Sequence, residues 1–290
     1  MMRRPFRELS VLFAAMALCA GAAGASAGAE RTQPPESASS GKQATLDERF
    51  LFAPSPYPQG DWKPAGLRFQ DIAFAAADGT QLHGWYCPAD QARATVLVMH
   101  GNAGNVATRG PWLKYLQTKM RVNVFLFDYR GYGRSQGKPT VDGVLQDARA
   151  ARAKLVELSH VPSEQLLLMG ESLGGAVAVQ MASEAAPRAL ILQSTFSSFR
   201  DAAEQHAPLL AWAVPRKKLD SVTAIAKYRG PLLQSHGTAD EVIPLALGEK
   251  LFQAANEPKQ FVRIVGAGHN NWLTEDYDRQ LDAFLERVTR

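Results

Sequence analysis

The sequence predicts an α/β fold: a mostly parallel, doubly wound sheet with an N-terminal antiparallel hairpin and a small helical cap. Two observations carry this. Short, near-continuous apolar runs recur at 94–100, 122–127, 165–169, 189–192, 231–234 and 261–265. Runs of this length suit strands buried on both faces of a parallel sheet. Between several of them lie stretches whose apolar residues recur near every 3.6 positions, and strands alternating with helices imply right-handed crossovers. A chain of 290 residues, 46% of them hydrophobic, is long enough for one sizeable core.

The elements follow in order. Segments 71–77 and 81–88 flank Asp78-Gly79 and read as the antiparallel hairpin. The stretch 141–158 carries Val144, Leu145, Ala148, Ala151 and Leu155 on one helical face. Helices are also expected over 173–185, 245–255 and 274–288, the last with Tyr277, Leu281, Phe284 and Leu285 inward. Residues 197–229 separate two strand runs by far more than an ordinary connection. We read them as a helical cap over the carboxyl edge of the sheet. Leu209, Leu210, Trp212 and Val214 there either wall an apolar pocket or pack the cap onto the core.

The N-terminus reads as an export signal over 1–29. Arg3, Arg4 and Arg7 precede an apolar run and then a tract of small residues that includes Ala25-Ser26-Ala27. The expected location is periplasmic or secreted, with an uncleaved anchor as the alternative. Residues 30–49 are polar and rich in Pro and Ser, a spacer, and the globular domain is expected over 50–290. The formal charge is +4, and loss of 1–27 removes three arginines and Glu8, leaving +2. That balance gives no electrostatic case for a nucleic-acid partner. Cys87 then stands alone, so no intrachain disulfide is expected, and no His or Cys cluster has metal-ligand spacing.

The chemistry centres on Gly170-Glu171-Ser172-Leu173-Gly174. A strand run precedes it and a helical pattern follows, the setting in which a Gly-x-Ser-x-Gly turn lifts its serine hydroxyl clear of the sheet. A serine hydroxyl is a weak nucleophile and needs a base. His269, in Gly266-Ala267-Gly268-His269-Asn270-Asn271 after the last strand run, is at the right edge of the sheet. The base needs an orienting carboxylate. Asp240 follows a strand run in His236-Gly237-Thr238-Ala239-Asp240, with the adjacent Glu241 a weaker candidate. An oxyanion needs preorganised N–H donors. The backbone of Leu173 and that of Asn102, in His100-Gly101-Asn102-Ala103-Gly104-Asn105, are the expected pair. Asp128 to Ser135 read as a structural loop near the pocket, and His206 as an exposed cap residue.

Taken in order, HGNAGN, FDYRGYGRS, GESLGG, HGTADEVIP and GAGHNN resemble one branch of the α/β-hydrolases. That branch holds the bud-emergence-type hydrolases and the α/β-hydrolase-domain depalmitoylases. The resemblance runs from about residue 50 to the end. It implies the α/β-hydrolase fold, Ser172, Asp240 and His269 as a catalytic triad, no cofactor, and carboxylic ester or thioester substrates. The N-terminal cysteine cluster of the depalmitoylases is absent, which speaks against protein deacylation. The expected partner is a small-molecule or lipid acyl ester, with Leu209 and Trp212 as candidate contacts and peripheral membrane association compatible with it. Amide or peptide hydrolysis, acyl transfer in the cell envelope and a non-catalytic binding role are the alternatives.

Overall fold

In a computed structural model the chain is described over Thr45, Glu48 and residues 51–290. The expected signal over 1–29 and, those two residues apart, the spacer over 30–49 lie outside the described residues.

Eight strands form one sheet. They are β1 (Gln70–Ala75), β2 (Gln81–Cys87), β3 (Ala94–Met99), β4 (Val122–Asp128), β5 (Leu167–Glu171), β6 (Ala189–Gln193), β7 (Leu232–Gly237) and β8 (Lys259–Ile264). Their order across the sheet is β1-β2-β4-β3-β5-β6-β7-β8. The hairpin β1–β2 is antiparallel, with Gln70 opposite Tyr86, and β2 joins β4 antiparallel. Every later pairing is parallel. This is the mostly parallel, doubly wound sheet with an N-terminal hairpin that the apolar runs predict.

The strands are apolar throughout because both faces are covered, and alternate residues serve different cores. Leu97, Met99, Phe125, Phe127 and Leu168 pack on one side with α2 (Val141–Ser159) and α3 (Leu173–Glu184). Val96, Val98, Val124, Leu126 and Met169 pack on the other with α1 (Gly110–Thr118) and α8 (Glu275–Thr289). Helix α1 is not among the elements that the sequence predicts. Its signals are Pro111 in the first turn, which suits Pro, and a buried stripe of Trp112, Leu113 and Leu116.

The stretch 197–229 holds α4 (Phe199–His206), α5 (Pro208–Ala211) and α6 (Ser221–Ile225). Helix α6 packs against α3 and against α7 (Leu245–Ala254), so it joins the helical layer beside the sheet.

The loop after β4 braces the loop after β3. Asp128 Oδ1 accepts from the Val106 N–H at 2.8 Å. The hydroxyls of Tyr129 and Tyr132 donate to the carbonyls of His100 and Asn102 at 3.1 and 2.7 Å. This brace is fixed to α2 by Arg130, whose Nη2 lies 2.7 Å from Oδ1 of the fully buried Asp147. Without Asp147, Arg130 keeps only the partly exposed Asp78, 2.8 Å from Nη1, as a carboxylate partner. Asp147→Ala is therefore expected to lower stability by about 1–3 kcal/mol, read from the urea midpoint at neutral pH.

Candidate active site

Strand β5 delivers Ser172 and α3 begins one residue later. Ser172 has φ 53° and ψ −118°, a conformation costly for any residue with a Cβ. Its surroundings hold it there. The Ser172 N–H donates to the Gln193 carbonyl at 2.9 Å. The Ser172 carbonyl accepts from the Gly175 N–H at 3.0 Å and from Thr195 Oγ1 at 2.8 Å. Two glycines let strand and helix approach. A Cβ on Gly170 would overlap the Gly174 carbonyl, and one on Gly174 would overlap the Met99 carbonyl at the end of β3. Leu173, at the first helical position, has no intrahelical acceptor for its N–H by position. That donor and the positive end of α3 lie directly beside the serine.

Asp240 sits in the loop after β7 and is 7% exposed. Its Oδ1 accepts from the Val242 and Ile243 N–H groups at 2.9 and 2.8 Å. Its Oδ2 lies 2.8 Å from His269 Nδ1. A second histidine, the fully buried His236, places Nε2 3.3 Å from the same oxygen and 2.7 Å from the Ile243 carbonyl. Two acceptors on Nε2 fix the proton there. Burial pushes the Asp240 carboxyl up, but bonds from His236 and His269, the His269 charge and the Ile243 N–H together hold it well below the usual carboxylate range.

His269 comes from the loop after β8. That loop and the Asp240 loop are joined by the Ala239 N–H, which donates to the Ala267 carbonyl at 3.0 Å. With Nδ1 committed to Asp240, Nε2 is the ring nitrogen left to accept a proton.

Asn102 is placed by its own polar groups. Its carbonyl accepts from Tyr132 and from the Ala53 N–H at 3.0 Å, and its Nδ2 donates to the Leu51 carbonyl at 3.2 Å. The side chain is thus spent on structure. His100, just before it, is fully buried, and burial together with the Arg109 charge pushes its imidazole down to about 3. It is neutral and hydrogen-bonded through Nδ1 to the Gly101 carbonyl at 2.7 Å.

A cavity of about 700 Å³ opens over these groups, lined by Ser172, His269 and Asn102 together with Arg109, Trp112 and Trp272. The last three are not among the site residues that the sequence predicts. Arg109 spans two walls: Nη2 donates to the Ala103 carbonyl at 3.2 Å, and Nη1 lies 3.5 Å from the Glu171 carboxylate, which is 5% exposed. His206 also lines the cavity and bonds the Val242 carbonyl through Nε2 at 2.7 Å. It is half-buried, contrary to its reading as an exposed residue. Glu241 reaches the cavity, and it is Asp240 that holds His269 Nδ1. Leu209 and Trp212, expected as substrate contacts, stand elsewhere. Neither lines the cavity, and both turn outward, because the buried positions of their segment are Ala211 and Val214.

The chain is similar to known proteins in sequence and in fold. The family described as serine aminopeptidase, S33, matches residues 90–225. The chain is 32% identical to the α/β-hydrolase domain-containing protein WAV2 of Arabidopsis thaliana, covering 76% of this chain and 80% of that one. It is 29% identical to bem46 of Schizosaccharomyces pombe, covering 82% and 85%. Against protein YfhR of Escherichia coli (strain K12) the figures are 36%, 76% and 78%. Among solved structures, the Pyrococcus furiosus esterase Pf2001 superposes with a TM-score of 0.68 at 20% identity, covering 82% of this chain and 98% of that one. The chain belongs to the α/β-hydrolase superfamily, in the branch that includes WAV2 and bem46.

Two outcomes are expected. A carboxylate held below its ordinary range adds stability that is complete above the unfolded value, about 3.9, and is lost as pH falls through the folded one. Asp240→Asn should therefore lower the urea midpoint at pH 7, and the gap to the parent should narrow as pH falls below about 4. Tyr132→Phe deletes one donor to the Asn102 carbonyl and should cost about 1 kcal/mol in the same assay.

Proposed function

We propose that this chain is a serine hydrolase that cleaves carboxylic ester or thioester bonds through an acyl-enzyme on Ser172. One observation carries the reading: the 2.8 Å contact of His269 Nδ1 with buried Asp240, beside a cavity into which Ser172 opens. Esterase relatives in fold, such as Pf2001, agree with it.

In the proposed mechanism His269 Nε2 takes the proton from Ser172 Oγ as that oxygen attacks the substrate carbonyl. The backbone N–H groups of Leu173 and Asn102 stabilise the oxyanion. The imidazolium protonates the leaving alcohol or thiol. Water, deprotonated by the same imidazole, then attacks the acyl-enzyme and releases the acid. Asp240 keeps Nδ1 protonated and stabilises the imidazolium. His236 and the Val242 and Ile243 N–H groups fix Asp240 in turn.

Amide or peptide cleavage is the second reading, favoured by the serine aminopeptidase description of the matching family. Rates on matched ester and anilide substrates separate the two. We place the protein outside the cytoplasm on the strength of its N-terminal signal pattern.

A fluorophosphonate probe should label the parent and leave Ser172→Ala unlabelled; equal labelling would overturn the assignment. Asp240→Asn should lower kcat on a p-nitrophenyl ester by about four orders of magnitude.

A further inference from the structure

We propose that the knuckle formed by residues 207–217 docks on an anionic lipid surface and brings the cavity mouth to it. The inference concerns where the chain sits and does not depend on what Ser172 does.

Leu209 and Trp212 are 86% and 72% exposed. Pro208, Ala213 and Pro215 are exposed beside them, so the segment turns an apolar surface outward. It is held in shape from within. Ala211 and Val214 are buried, and their N–H groups donate to the carbonyls of Ala207 and Ala211 at 3.0 and 3.1 Å. Trp212 Nε1 donates to the Leu209 carbonyl at 2.9 Å. The indole therefore enters an apolar phase with its one polar atom already satisfied.

Charge selects the partner. Arg216 and Lys217 follow the apolar residues and are exposed, and no acidic residue occurs within 207–217. Apolar side chains that include Trp, next to basic ones, match the boundary between acyl chains and anionic headgroups. A stable protein interface buries well over about 1,000 Å², more than a short knuckle supplies alone. Position supports the same occupant. His206, just before the knuckle, lines the cavity with Ser172. Trp272 lines it too, and the next residue, Leu273, is 48% exposed.

The test uses the full chain and vesicles of phosphatidylglycerol brominated in the acyl chains, which quench an indole that inserts. Trp85, Trp112 and Trp272 are buried, and Trp62 is partly buried. Quenching of the parent is expected, with most of it lost in Trp212→Phe. Arg216→Ser with Lys217→Ser should weaken binding on the order of tenfold or more, and phosphatidylcholine vesicles should bind little. Equal quenching of the parent and Trp212→Phe overturns the proposal, as does equal binding to both lipids. So does self-association in sedimentation that Trp212→Phe abolishes, since the knuckle would then join two copies. Circular dichroism checks that the variants fold. Hydrolysis of soluble p-nitrophenyl acetate, followed in parallel, tests the hydrolase reading separately.

Discussion

The tight junction between β5 and α3 at Ser172 is the constraint around which the rest is arranged. A residue with φ 53° does not hold that conformation unaided. Here the neighbouring strand β6 supplies the Gln193 carbonyl, and Thr195 beyond it supplies a hydroxyl. Helix α3 can begin so abruptly only because Gly170 and Gly174 carry no Cβ, and Gly174 rests directly on the end of β3. Sheet order therefore matters at the level of single atoms. Strands β3 and β6 flank β5 and must be in register for the serine to stand where it does.

A second layer of organisation lies in the loops at the same edge. Asp240 meets four donors: two backbone N–H groups and two imidazoles. A buried carboxylate satisfied this fully remains ionised and immobile. The Asp240 and His269 loops are hydrogen-bonded to each other, and the Asn102 loop is braced by Tyr129 and Tyr132. The groups that would carry chemistry thus sit on rigid supports. The segment after His206 contrasts with them, since it leaves Leu209 and Trp212 exposed.

Much of this was legible in the sequence, and the reasons are physical. A strand buried on both faces needs unbroken apolar residues, so the run at 94–100 located Ala94–Met99 closely. The hairpin was legible because Asp78-Gly79 marks a turn, and Gly79 does take φ 84°. Helix α1 escaped because Gly110 and Pro111 look like a loop when read locally, though its buried stripe was present. Leu209 and Trp212 misled because hydrophobicity signals burial only on average. The partners of Arg109 and of His236 could not be read from the chain, because both contacts depend on how separate loops meet in space. His236 stood inside a motif whose Asp240 was picked out, yet its bond to that carboxylate is a matter of side-chain direction.

The three groups of the proposed triad follow three different strands, β5, β7 and β8, and the last of these lies at the sheet edge. No shorter portion of the chain brings them together. A ribosome-bound or half-folded chain with its serine already formed still lacks both the carboxylate and the imidazole that would activate it. Any reactivity that needs all three groups would therefore await the pairing of the edge strand β8 with β7.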